Sequence, residues 1–263
     1  MKFKILCSDL DGTLLSTKSD VSSFTIQEIE RLRHQLRIIL VSARMPSGMF
    51  YLQENLSITH EPIICYNGAL ILANNNVLHS TTIPATLVKE IYDLCKIRNT
   101  TLGIYSHDNW YVQNMSKRVE KEIKHTKVYP TIAPTENTLV TIKDSGAHKV
   151  MLMSNPLDAD ILMEILTKKY SGLIHSYRSN DTLIEISPKK VSKITAIKLL
   201  LQPDESLVDV IAFGDNYNDI EMISNAGTGV AVGNARAELK EIANFVCALN
   251  TDDGVAHFIK EHL

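Results

Sequence analysis

The stretch Phe3-Lys4-Ile5-Leu6-Cys7-Ser8-Asp9-Leu10-Asp11-Gly12-Thr13 decides the fold. Phe3 to Ser8 is a short apolar run that reads as a buried strand, and it stops at two aspartates and a turn-permitting glycine. In open parallel sheets, ligands bind beyond the carboxyl ends of strands, so polar residues at such an end mark a site. If the chain runs on extended past Asp9, residues two apart face the same side. Asp9 and Asp11 then converge while Leu10 points away.

Downstream, Ile26, Ile29, Leu32 and Leu36 recur at helical spacing after a serine-rich start, and Arg37 to Val41 reads as the next strand. Pro46 opens a helix running to about Asn55, and Pro62 to Cys65 is a third strand. Strand, helix, strand, helix, strand means a parallel sheet. A hairpin is expected around Asn74-Asn75-Asn76. From Pro84, helices at about 85–98 and 117–125 mix with alternating strands, the pattern of an α+β unit. Buried-strand runs return at Val208 to Phe213, Gly229 to Val232 and Phe245 to Cys247. The expected organisation is one α/β core formed by residues 1–82 and 187–263, interrupted by an inserted unit, 83–186, whose two connections can serve as hinges.

With 263 residues, 44% hydrophobic and 22% charged, the chain has an ordinary globular balance. Its net charge of -3 gives no long-range attraction to nucleic acid or to an anionic membrane surface, so neither is expected as a partner. No run of about 18 apolar residues occurs. The apolar run after Lys2 and Lys4 ends at Asp9, too soon for a signal-peptide core, and a cytoplasmic location is expected. Cys7, Cys65, Cys95 and Cys247 form no CxxC pair, and the nine histidines show no HxxxH spacing. Any metal must therefore be held by carboxylates.

Three strand ends are polar: Asp9-Leu10-Asp11-Gly12-Thr13, Ser42-Ala43-Arg44 and Gly214-Asp215-Asn216-Tyr217-Asn218-Asp219. Lys193 heads the helix that leads back into the sheet. Two carboxylates converging with Asp215 need a cation, and Mg²⁺ suits a few carboxylate oxygens completed by phosphate and water. A carboxylate beside Mg²⁺ can attack phosphorus, and a second can protonate the leaving oxygen and later activate water. Ser42, backbone amides near Leu10 and Ala43, Lys193 and Mg²⁺ are the groups available to balance phosphoryl charge.

In their order along the chain, these motifs resemble the four motifs of the haloacid dehalogenase superfamily of phosphatases. The insertion between the second and third, with Tyr66-Asn67-Gly68-Ala69, Gly233-Asn234-Ala235 and Asp253-Gly254-Val255-Ala256, is similar to the Cof-type subfamily. The resemblance implies a doubly wound, mainly parallel Rossmann-like core with an inserted α+β cap. It also implies that Asp9 is the nucleophile and a Mg²⁺ ligand, and that Asp11 is the general acid/base, its backbone carbonyl also binding metal. Asp215 and Asp219 complete the metal site, and Ser42, Lys193 and Asn218 hold phosphate with the Leu10 and Ala43 amides. Ala43, Lys190 and Ile194 stand where the family commonly has glycine.

The implied activity is Mg²⁺-dependent hydrolysis of small phosphate monoesters such as sugar phosphates. A phosphomutase and a non-catalytic phosphometabolite-binding protein are the alternatives. Oligomeric state is left open. In the cap, His148, Lys149 and Arg178 are candidates for reading the substrate, because polar residues cluster near the expected strand ends. Trp110 and Tyr111 fit the cap core better than a specificity role. The Lys117 to Lys127 run is broken by Glu120 and Glu122 and reads as a solvated helix face. Gly227, Gly229 and Gly233 have GxGxxxG spacing, which suits tight turns rather than a dinucleotide loop.

Overall fold

The computed structural model describes residues 3–16, 20–74, 76–98 and 100–263. Met1 and Lys2, and Asn75 of the expected hairpin turn, lie outside them. The chain divides into two compact units, Met1–Leu78 with Ser192–Leu263, and His79–Val191. The fold is α/β, with a mainly parallel sheet in the first unit and an α+β arrangement in the second.

In the first unit, Ile5–Ser8 sits in an eight-stranded sheet between Arg37–Val41 and Val210–Gly214, parallel to both. Beyond Val210–Gly214 come Thr228–Ala231 and Phe245–Val246, and beyond Arg37–Val41 comes Ile63–Cys65, all parallel. Leu70–Ala73 turns antiparallel, and Asn76–Ser80 forms that edge. Every residue of Ile5–Ser8 and Val210–Gly214 is buried. Helices therefore cover both faces, and these runs are continuously apolar instead of alternating.

Helix starts are set by local side chains. Ser22 Oγ accepts from the Thr25 N–H at 3.0 Å, which caps Ser23–Leu32, and Ile29 and Leu32 then bury the inner stripe. Ser192 and Thr195 form a reciprocal capping box that starts Lys193–Leu199 at Lys193. That cap sets Lys193 at the first helical position, where its side chain is buried.

The second unit holds a six-stranded sheet in the order Ile174–Asn180, Leu183–Pro188, Lys149–Met153, Thr101–Ser106, Asn109–Val112 and Thr131–Ile132. All pairs are antiparallel except the last. Val88 and Ile91 of helix Ala85–Lys96 and Leu162 and Leu166 of Pro156–Tyr170 pack with Ile104, Val150, Leu152, Ile184 and Ile186 in one core. Trp110 is buried and stacks on Tyr105 with ring centres 5.4 Å apart, as a core residue should.

Arg178, expected near a strand end, lies within a strand of this sheet, Ile174–Asn180. Only Ile174 of that strand is buried, so a solvated edge strand carries too little apolar alternation to be recognised. Helix Thr135–Thr141 was likewise not anticipated; its buried positions are Thr135 and Thr138, which give no apolar period. Among the described residues no helix is long and apolar enough to cross a membrane. Cys7, Cys65 and Cys95 are buried free thiols, and Cys247 is a half-buried one.

Candidate active site

The carboxyl ends of Ile5–Ser8, Arg37–Val41 and Val210–Gly214 lie side by side in the sheet, so Asp9, Ser42 and Asp215 belong to neighbouring loops. Asp9 is still held by the sheet, its N–H donating to the Phe213 carbonyl at 3.0 Å. The chain then leaves extended geometry. Leu14 N–H donates to the Asp9 carbonyl and Leu15 N–H to the Leu10 carbonyl, winding residues 10–14 into a tight turn. Gly12 sits at φ +89°, and a Cβ there would meet Asp215 Oδ2 at 2.6 Å, so only glycine brings this turn against Asp215.

Carboxylate oxygens of Asp9, Asp215 and Asp219 lie within 4.8 Å of one another. The Lys193 ammonium, fully buried, bridges Asp9 Oδ1 at 2.5 Å and Asp219 Oδ1 at 2.6 Å. Asp219 also accepts the Asp215 and Asn216 N–H groups at 3.0 and 3.1 Å, which folds the 215–219 loop around its side chain. Gly214 makes room for it, since a Cβ there would stand 2.6 Å from Asp219 Cβ. Thr13 Oγ1 donates to Asp215 Oδ1 at 3.3 Å, tying the first loop to the third.

Burial pushes the Asp9 carboxyl up to about 8, with Lys193 pulling it down and Asp219 and Asp215 adding to the rise. Burial and Asp219 push Asp215 up to about 6. Burial alone would lower Lys193, yet Asp219 and Asp9 hold it above the usual lysine range. Three carboxylates facing one ammonium leave negative charge over. A site in this state takes up a proton or a cation. The donor set is all carboxylate oxygen, which suits a hard divalent ion and disfavours the softer metals that seek imidazole or thiolate.

The carboxylate of Asp11 stands outside this cluster, although extended geometry led to the expectation that it would converge with Asp9. It is half exposed and is gripped by both Arg44 Nε and Arg44 Nη2 at 2.7 Å. The winding of residues 10–14 turns it away. Arg44 is itself buried and anchored on the Gly48 carbonyl and Tyr51 hydroxyl, each at 3.1 Å. Although burial opposes its charge, Asp11 and Tyr51 hold it above the usual arginine range.

Ser42 is buried, with its Oγ accepting from the Arg44 N–H at 3.2 Å. Its carbonyl accepts from the Asn67 N–H at 2.9 Å. Asn218 Nδ2 donates to Asn67 Oδ1 at 3.0 Å, joining the second and third loops. Leu10 is buried in the wound turn 10–14, and Ala43 is half-buried between Ser42 and Arg44. Ile194 is buried within the helix that carries Lys193, and Lys190 is exposed before it. Arg44, Asn67 and Thr13 are contacts that sequence reading did not assign. Arg44 was visible as the third residue of a polar strand end, and Asn67 as part of an Asn-Gly turn, where its φ of 56° needs a residue tolerant of the left-handed region.

The three residues nominated in the second unit are placed differently. His148 is fully buried; its Nδ1 accepts from the His107 N–H at 3.0 Å and its Nε2 meets Ser80 Oγ at 2.9 Å. Arg178 pairs with Asp160 and donates to the Asp181 carbonyl at 2.7 Å. Lys149 is buried with its ammonium 4.4 Å from the Tyr105 ring centre and 4.0 Å from Glu185. Burial, helped by His107, pushes His148 down to about 3. Its folded value is depressed below its unfolded one, so the unfolded chain takes the proton first as pH falls. We expect the second unit to lose about 3 kcal/mol between pH 7 and pH 4 from this residue. Urea unfolding of wild type and His148→Gln across that range checks it. An unchanged pH slope in the variant would remove His148 from the account.

The sequence model described as haloacid dehalogenase-like hydrolase matches residues 6–259, and the chain belongs to that family. It is a phosphatase, and enzymes of this family generally use a divalent metal. It is 28% identical to the 5-amino-6-(5-phospho-D-ribitylamino)uracil phosphatase YitU of Bacillus subtilis, over 98% of this chain and 97% of the relative. It is 26% identical to the pyridoxal phosphate phosphatase YbhA of Escherichia coli, over the whole of both chains. The crystal structure of a haloacid dehalogenase-like hydrolase from Bacteroides thetaiotaomicron superposes with a TM-score of 0.91 at 27% identity, covering all of both chains.

Proposed function

We propose that this enzyme is a Mg²⁺-dependent phosphatase of small phosphate monoesters, sugar phosphates or similar metabolites, acting through an aspartyl-phosphate on Asp9. The observation that carries the reading is the buried Asp9, Asp215 and Asp219 cluster with Lys193 at the carboxyl ends of parallel strands. Small phosphorylated metabolites are also what the names of YitU and YbhA give as their substrates.

In this mechanism an Asp9 carboxylate oxygen attacks phosphorus while the bond to the ester oxygen breaks. Asp11, which must first leave its pair with Arg44 and take up a proton, gives that proton to the departing oxygen. The Asp11 carboxylate then takes a proton from water, the water oxygen attacks phosphorus, and the bond to Asp9 breaks to release inorganic phosphate. Lys193, Ser42, Asn218 and the Leu10 and Ala43 amides hold the phosphoryl oxygens. Asp9, Asp215 and Asp219, with the Asp11 carbonyl, would hold Mg²⁺, which supplies counter-charge to the phosphoryl group when bound. The unit His79–Val191 serves as the cap that selects the ester and excludes water.

Turnover of a phosphate-ester panel with Mg²⁺ and with EDTA tests this reading. Release of inorganic phosphate should fall at least about 100-fold in EDTA and return with Mg²⁺. Full activity in EDTA would refute the metal role, and an isomeric phosphate in place of inorganic phosphate would make the enzyme a mutase.

A further inference from the structure

The segment Gly233-Asn234-Ala235 takes no part in the chemistry above, yet it touches both loops that carry the acidic cluster. Asn234 Nδ2 donates to the Gly12 carbonyl at 2.7 Å. Its Oδ1 accepts from the Asn250 N–H at 2.9 Å, and Asn250 Nδ2 donates to the Leu15 carbonyl at 2.8 Å. Two asparagines thus grip the first acidic loop at residues 12 and 15. The same turn grips the other loop: Arg236 N–H donates to the Asp215 carbonyl at 2.9 Å, and Val232 N–H to the Gly214 carbonyl at 3.2 Å. The turn has its own footing, with the Gly233 N–H donating to the Ala248 carbonyl at 2.9 Å.

We propose that Asn234 is a positioning residue that fixes the spacing between the Asp9 loop and the Asp215 loop, and through it the cation affinity of the cluster. The proposal rests on the reading of that cluster as a divalent-cation site. Carboxylates this close repel one another when ionised, and one lysine cannot neutralise three of them. The uncompensated part of this repulsion acts to spread the two loops, against the ties that Lys193 and Thr13 make between them. Asn234 opposes the spreading with neutral hydrogen bonds to a backbone carbonyl, so it adds no charge and occupies no carboxylate lone pair that a cation would use. Gly12, the residue it holds, is the one packed directly on Asp215.

Calorimetric titration of the EDTA-treated full chain with MgCl₂ alone, without substrate, tests the assignment on wild type, Asn234→Ala, Asn234→Leu and Asn250→Ala. Leu keeps the bulk of Asn and removes the donor, so a space-filling role would tolerate it. Removing a supporting partner of a metal site typically weakens binding about 10- to 100-fold, and both Asn234 variants should show a rise of about tenfold or more in the Mg²⁺ Kd. Asn250→Ala, which removes the grip on the Leu15 carbonyl but keeps the backbone N–H that Asn234 accepts, should show about threefold. Circular dichroism and melting in EDTA should match wild type. Unchanged Mg²⁺ affinity in both Asn234 variants would overturn the proposal, and so would variants that are unfolded in EDTA, since the brace would then serve folding alone. A wild type that binds no Mg²⁺ would instead bring down the cation reading on which the proposal stands.

Discussion

Asp9→Asn should lower kcat by at least about 10³-fold on every phosphate ester the enzyme turns over, because the amide cannot form the aspartyl-phosphate. The same change should leave the metal-free protein as stable as wild type or more so. Burial and two neighbouring carboxylates push Asp9 up to about 8, which means that its charge is costly in the folded protein. An uncharged amide relieves that cost, in the usual trade between stability and activity. Activity assays with Mg²⁺ and thermal melts in EDTA check both halves. Activity within tenfold of wild type would reject Asp9 as nucleophile, and a marked loss of metal-free stability would show that its ion pair with Lys193 outweighs the repulsion.

Lys193→Met should be the most destabilising single change at the site. The ammonium is buried and contacts two buried carboxylates, so its removal leaves Asp9 and Asp219 facing each other without compensation. Breaking a buried ion pair from one side typically costs about 3–5 kcal/mol. The cost should shrink as pH falls, because the orphaned carboxyls can then take protons instead of bearing charge. Urea unfolding at pH 8 and pH 5 in EDTA measures this. A loss under about 1 kcal/mol at pH 8 would mean that protons, not Lys193, neutralise the cluster. In the presence of Mg²⁺, kcat should also fall about 100-fold or more through loss of phosphoryl charge balance.

The core of the fold was legible because its buried strands are continuous apolar runs that end at polar residues. Arg37 to Val41 reads in this way, and so does the helix headed by Lys193. The runs read as Phe3 to Ser8 and Val208 to Phe213 form strands only over Ile5–Ser8 and Val210–Gly214, because Lys4 is exposed and Val208 and Asp209 lie in a short 3₁₀ turn before the strand. The geometry of Asp11 was not legible. Strand alternation would have carried it beside Asp9, but the turn at residues 10–14 and the grip of Arg44 depend on contacts from a loop more than thirty positions away. In the second unit the polar residues are legible in the sequence but their partners are not. His148 and Arg178 are nominated there because they are polar, and the folded chain sets His148 against Ser80 and the His107 N–H, and Arg178 against Asp160 and nearby carbonyls. Polarity marks where hydrogen bonds are made, and only packing decides whether they face inward.

The order of strands in the first unit also sets an order of assembly. Ile5–Ser8 needs Val210–Gly214 on one side, so a segment made before the unit His79–Val191 waits for one made after it. His79–Val191 is contiguous and can close its own sheet as soon as it has emerged. During synthesis, then, Asp9 is exposed on an unfinished sheet edge without Lys193 or its acidic partners. The charge cluster forms only in the final stage, when the returning chain brings the lysine and the third loop in together.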